Sequence, residues 1–231
     1  MSGKYNYAAF DADQYDLLHF KAPKAGELAP DFRAVRLDGD SVQFADYLGR
    51  VTILEMGSIT CPIYQSRRQT MNVLTAAYPE YCFIVLYVRE AHPGDLIGQH
   101  QSDAEKIRRA ATLRKDFYEN RVILVDDLDG TAHRLYGAMP NAIFVIDAHG
   151  LIVFRSNWND VSATKKVLSN LKAGKAIDGI KSYFKPAKPW IAKSVLDRAG
   201  NGAARDFFGS FPSLIKQNLI IRNLREFFSK D

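Results

Sequence analysis

Eight consecutive residues without a charge, Tyr81-Cys-Phe-Ile-Val-Leu-Tyr-Val88, constrain this chain more than any other stretch. A strand with one wet face alternates apolar and polar side chains, so a continuous apolar run of this length is a strand covered on both faces. Val51–Glu55 has the same character and breaks at Gly57. Between the two runs, the segment from Gln65 spaces Met71, Leu74, Ala77 and Tyr78 at helical intervals, and Pro79 closes it. Two buried strands joined by a helix require a parallel pair with further layers on both faces.

The remaining segments extend this pattern. Arg33–Leu37 alternates as a half-buried strand, Asp38-Gly39-Asp40 is a turn signal, and Ser41–Phe44 is a second short strand. Asp103–Tyr118 reads as a charged amphipathic helix, Val122–Val125 as a strand and Thr131–Tyr136 as a short helix. Ala142–Ile146 and Leu151–Phe154 form a hairpin about Gly150, and Val161–Leu171 is the next helix. Strands alternating with helices, then a terminal hairpin and helix, describe an α/β, thioredoxin-like three-layer sandwich with added N-terminal strands. We assign residues 1–25 to an N-terminal arm, with Tyr15–Phe20 as a short helix or arm, and 26–174 to the sandwich. Residues 175–231 are a basic, aromatic-rich helical extension. Within it, Ser213–Lys230 is a helix whose Ile220, Leu224 and Phe228 form a stripe expected to be buried, on the sandwich or across a dimer. X-Pro before the hairpin strand matches the place of a cis proline in this fold, so Met139–Pro140 is expected to be cis.

Cys61 falls where the first buried strand turns into a helix, and Pro62 fits that helix's first turn. Unpaired N–H groups at a helix start favour thiolate over thiol, so Cys61 is the candidate nucleophile, with a pKa expected below that of free cysteine. Cys82 lies inside the apolar run and reads as core packing. Two cysteines in 231 residues argue against a disulfide scaffold. A Cys61–Cys82 bridge would join a loop at one strand's C-terminal end to the beginning of another strand, beyond the ~7 Å Cα separation a disulfide allows. His19, His133 and His149 have no companions at ligand spacing, so no metal is expected.

No apolar run approaches the ~20 residues that span a bilayer, and the acids and tyrosines of Met1–Phe20 do not suit a signal peptide. A reduced, cytoplasmic protein without a membrane span is expected. The net charge of +5 is uneven: Leu171–Asp231 holds 12 Lys+Arg against 5 Asp+Glu, and the remainder 19 against 21. The basic excess suits a solvated face or an anionic partner. No phosphate loop or nucleic-acid signature accompanies it, so no nucleic-acid partner is expected.

Three blocks resemble the iodothyronine deiodinases, a thioredoxin-fold family that removes iodine from aromatic rings. They are Gly57-Ser-Ile-Thr-Cys-Pro62; Tyr87-Val-Arg-Glu-Ala-His92 with Gln99-His-Gln101; and Val125-Asp126 through Leu135-Tyr-Gly-Ala-Met-Pro140 to Ser156-Asn-Trp-Asn159. The family's active-site selenocysteine is here Cys61. The resemblance implies Cys61 as nucleophile and Glu90 with His92 as a carboxylate–imidazole pair, His92 protonating the departing aryl carbanion. It implies Ser58, Thr60, Pro62, Tyr87, His100, Pro140 and Trp158 as substrate-binding residues. His100 is equally open to a polar-surface role, and Trp158 to core or interface packing. Ile59 stands where some relatives carry a nearby cysteine. Ala142 stands where vertebrate enzymes carry an arginine for the hormone carboxylate, and the N-terminal membrane anchor of the animal enzymes is not expected here. The family further implies a homodimer, an iodinated aromatic substrate, no bound cofactor, and an external thiol reductant such as thioredoxin or glutathione. The enzyme alternative is a peroxiredoxin-like thiol peroxidase; the non-enzyme alternative is a thioredoxin-fold binding module acting through its basic tail.

Overall fold

The computed structural model describes residues 5–16 and 19–229. Within the expected arm, residues 1–4, Leu17 and Leu18 lie outside the described residues, as do Lys230 and Asp231 at the end of the expected last helix. The two apolar runs are the centre of a seven-stranded sheet. They form β3 (Thr52–Gly57) and β4 (Cys82–Tyr87), parallel in register from Thr52 opposite Cys82 to Gly57 opposite Tyr87. Every residue of both strands is buried. Cys82 therefore starts β4 while Cys61 lies beyond the other end of β3, and both cysteines are free.

The sheet order is β2-β1-β5-β4-β3-β6-β7. β5 (Val122–Val125) runs parallel to β4, and the antiparallel hairpin β6 (Ile143–Ile146)–β7 (Ile152–Ser156) flanks β3. β1 (Arg33–Arg36) and β2 (Ser41–Gln43) close the far edge through the turn at Gly39, whose φ of +96° suits a residue without a side chain. This is the thioredoxin-like sandwich with N-terminal strands and C-terminal helices.

Side chains alternate across the strands and so build two cores. On one face Ile53, Val85 and Val145 pack under α1 (Pro62–Ala77), α2 (Asp103–Phe117) and α4 (Val161–Lys172). On the other, Leu54, Met56, Leu86 and Phe144 meet Phe10, Tyr15, Phe32, Phe44 and Tyr136, just past α3 (Thr131–Leu135). The N-terminal segment is tied down by Arg89, whose guanidinium lies 4.7–4.9 Å from the ring centres of Tyr5, Tyr7 and Tyr15.

The extension folds back over the C-terminal ends of β3 and β4. α5 (Pro189–Ala199) packs on α1, and α6 (Ala203–Leu214) packs on α5 and on the single turn at Ala12–Gln14. The helix then continues through Ile215–Arg222 with wide, i to i+5 turns into α7 (Asn223–Phe228). Those wide turns rotate the stripe expected from regular spacing. Ile220, Leu224 and Phe228 are 50, 51 and 72% exposed, and Asn218 is buried in their place. Among the described residues no helix is long and apolar enough to cross a membrane.

Candidate active site

β3 ends at Gly57, where the Tyr64 ring comes so close that a Cβ would sit 2.6 Å from it. That contact folds Ser58-Ile59-Thr60 tightly and sets Cys61 as the cap of α1, its Sγ accepting the Tyr64 N–H at 3.5 Å. Pro62 occupies the first helical turn, as its missing donor allows. The expected lowering of the thiol pKa is not found. Cys61 is 2% exposed, and burial pushes its thiol up to about 12, past the opposing pull of the Tyr64 and Ile63 N–H groups. The carboxylates of Glu55 and Glu90 add to the rise. Desolvation outweighs the helix end because burial removes most of the solvation a thiolate would need.

The loop after β4 carries Glu90 and His92, and the structure separates them. Glu90 is fully buried and turned inward. It accepts hydrogen bonds from the Thr60 N–H (3.0 Å), the Thr60 hydroxyl (2.7 Å) and the Tyr87 hydroxyl. His100 Nε2 lies 3.2 Å from its other oxygen, close enough for an ion pair but off the axis of a hydrogen bond. Burial works to raise the Glu90 carboxyl, yet His100, Tyr87 and Thr60 hold it below the ordinary value. Gln99 clamps the Glu90 backbone from both sides (2.9 and 2.7 Å). The expected Glu90–His92 pair is therefore a Glu90–His100 pair, with Thr60 between the two loops: its hydroxyl also accepts the His92 N–H at 3.2 Å.

The His92 ring stands between Phe10 and Phe207, with centroids 4.2 and 5.2 Å away. Its Nδ1 is buried without a partner among the described residues, and burial pushes its pKa down to about 3. His92 is thus a neutral imidazole held by aromatic packing.

Cys61 and His92 line one cavity of about 350 Å³. Pro62, Pro140 and Trp158 share its wall, and Trp158 Nε1 donates to Asn218 of the extension at 2.8 Å. Ser58, Thr60, Tyr87 and His100 do not reach this wall. The Ser58 hydroxyl accepts the Ala91 N–H at 3.3 Å, and the other three surround Glu90, so the four join the Cys61 and His92 loops to each other. Ala142 is buried in the core, away from the cavity. Met139–Pro140 is trans, contrary to expectation. The reversal comes instead from Ala138, at φ +54°, while the Met139 carbonyl is held by His133 Nε2 at 2.9 Å.

Sequence reasoning missed two parts of this site. One is a buried ionic cluster behind α1. Glu55 accepts from Asn141 (2.7 Å), Asn159 (2.8 Å) and Arg121; Arg121 in turn grips Glu119 (2.9 and 2.7 Å), which also takes the Tyr64 hydroxyl (2.7 Å). Its signal was the one charge in an otherwise uncharged buried strand. The other is the roof, supplied by Phe184 and by α6 through Phe207, Phe208 and Phe211. Among the described residues, no three His, Cys, Asp or Glu side chains gather as a metal requires.

The chain is 28% identical to thyroxine 5-deiodinase of Rattus norvegicus over 149 residues, covering 59% of this chain and 48% of that one. It spans about half the length of the curated relatives it matches. Among solved structures it superposes on an uncharacterized conserved protein from Geobacillus kaustophilus with a TM-score of 0.55 at 15% identity, covering 68% of this chain and 86% of that one. It also superposes on a thiol peroxidase from Chromobacterium violaceum with a TM-score of 0.50 at 15% identity, covering 72% and 92%. These likenesses concern the fold alone. The profile of the iodothyronine deiodinases matches residues 5–161, which take in the sheet, Cys61, Glu90, His92 and Trp158, and the chain belongs to the iodothyronine deiodinase family.

Proposed function

We propose that this protein is a cysteine-dependent reductive dehalogenase that removes iodide from iodinated aromatic compounds. The observation that carries the reading is the meeting of Cys61 and His92 on the wall of one apolar cavity. The sulfur attacks iodine along the C–I axis; the S–I bond forms as the C–I bond breaks, and the bonding pair stays on the ring carbon. His92 takes the thiol proton and delivers it to that carbon. The sum is Cys–SH plus aryl iodide giving Cys–S–I plus arene, with carbon reduced and sulfur oxidised by two electrons. Two equivalents of an external thiol, thioredoxin, glutathione or similar, then yield Cys–SH, a disulfide and hydrogen iodide. No bound cofactor takes part. A thiol and an imidazole on the wall of one apolar cavity suit this route, because a proton moving from one to the other brings no net charge into the cavity.

Glu90 is a positioning residue in this reading, keeping Thr60 and hence the His92 loop in place. We place the reaction in the cytoplasm, and the exposed apolar stripe of the extension supports a homodimer. The test pairs iodide release with peroxide consumption. Cys61→Ser should abolish both. His92→Ala should cut iodide release by roughly 10²–10⁴-fold and spare most peroxide reduction, whose leaving oxygen can take a proton from water. Rapid peroxide consumption with no iodide release from any iodoaromatic would instead establish the peroxidase.

A further inference from the structure

We infer that the substrate is an uncharged halogenated aromatic of the halophenol class, without an amino-acid head group. The inference rests on the dehalogenase reading for its chemistry and on the cavity wall for its selectivity. More than half of the wall comes from residues 184–219, beyond the stretch that the deiodinase profile matches. That part is apolar and aromatic: Phe184, Phe207, Phe208 and Phe211 share the wall with Trp158 and Phe10, and the Phe184 ring stands edge-on to Trp158 at 5.2 Å. Such rings suit a flat aromatic ligand and a polarisable halogen. Among the described residues Lys193 is the one lysine or arginine on the wall, and it pairs with Asp197 at 2.6 Å.

The polar groups are committed as well. Asn218 accepts from Trp158 and donates to the Leu214 carbonyl at 3.2 Å, Tyr15 pairs with Tyr7, and the Cys61 sulfur takes the Tyr64 N–H. His92 is the wall residue left to serve a polar substituent, and a neutral imidazole suits a neutral hydroxyl. A zwitterionic head group would lie against phenylalanine rings with both charges unpaired, which is strongly unfavourable. The volume of about 350 Å³ is at the low end for small-molecule sites, enough for one substituted ring.

The test measures binding apart from turnover. Calorimetry on the full chain carrying Cys61→Ser would compare 2-iodophenol with 3-iodotyrosine, and the wild type would be assayed for iodide release from both with excess thiol. We expect iodophenol to bind at least ~10-fold more tightly and to be the better iodide donor. Iodotyrosine binding equally well or better would overturn the substrate class, whether or not iodide is released. Iodophenol binding tightly with no iodide released from either compound would uphold the cavity's selectivity and sink the dehalogenase reading. A gain-of-charge variant adds a second arm. Leu219→Arg, on the wall where the side chain is 42% exposed, should raise affinity for 3-(4-hydroxy-3-iodophenyl)propionate relative to 2-iodophenol about threefold. If the carboxylate ligand gains nothing, absence of charge on the wall does not set the preference.

Discussion

Alkylation of Cys61 in the resting protein should be slow, which is unusual for a nucleophilic cysteine. Burial pushes the thiol up to about 12. At pH 7 that leaves about one molecule in 10⁵ as thiolate, against ~3% for a free cysteine of pKa ~8.5. A more basic thiolate is a better nucleophile, and with a Brønsted slope of ~0.45 the gain is roughly 40-fold. The population deficit is roughly 3,000-fold, so the net expectation is alkylation about 10²-fold slower than glutathione. Restricted access at 2% exposure can only slow it further. The assay is iodoacetamide labelling followed by peptide mass spectrometry from pH 6 to 11, with Cys82 as internal reference; burial raises that thiol too. The rate should still be climbing at pH 10. A midpoint at or below ~8.5, or labelling as fast as glutathione at pH 7, would refute the claim that desolvation defeats the helix end.

Three further outcomes follow from the same geometry. His92 and His133 are both pushed down to about 3 by burial, so below ~6.5 the unfolded chain binds protons that the folded chain refuses. Their contribution is intact above that pH and is lost as pH falls towards 3. Urea melts should show a loss of ~3 kcal/mol between pH 6.5 and 5, with half that slope in His133→Gln; a flat profile would contradict it. Thr60→Val keeps the shape but removes the hydroxyl shared by Glu90 and the His92 N–H, and should cost ~1–3 kcal/mol in the same melts, with Thr60→Ser close to wild type. Arg121→Met strands Glu55 and Glu119 as buried anions and should cost ~3–5 kcal/mol, a loss below ~1 kcal/mol showing that the cluster is hydrated or protonated.

Sequence made the sheet centre legible because β3 and β4 depend on one property, burial on both faces, that apolar runs report directly. Cys61 at the strand–helix junction followed from the same local pattern. The pairing of Glu90 with His92 failed for the opposite reason. Two residues apart in a loop says nothing about direction, and the backbone sends one carboxylate inward to Thr60 and one imidazole outward to Phe10 and Phe207. The stripe of the last helix does not pack on its own sandwich, because the wide turns at Ile215–Arg222 do not keep the 3.6 residues per turn assumed in reading it; burial across a dimer is the part of that expectation the exposed stripe leaves standing. The pKa of Cys61 failed because a helix start can be seen in sequence, whereas the depth of the lid above it cannot.

The flanking of His92 by Phe10 and Phe207 also bears on how the protein is made. A ribosome releases Cys61 and His92 well before Phe207, which is encoded 115 residues after His92. At ~5–20 residues per second the nascent chain spends roughly ten seconds with its nucleophile uncovered. Oxidants that cannot enter the finished cavity can reach the sulfur during that interval. Stress by oxidants too bulky for the cavity should therefore mark newly made molecules and spare the old ones, so the damage would track synthesis rate rather than protein abundance.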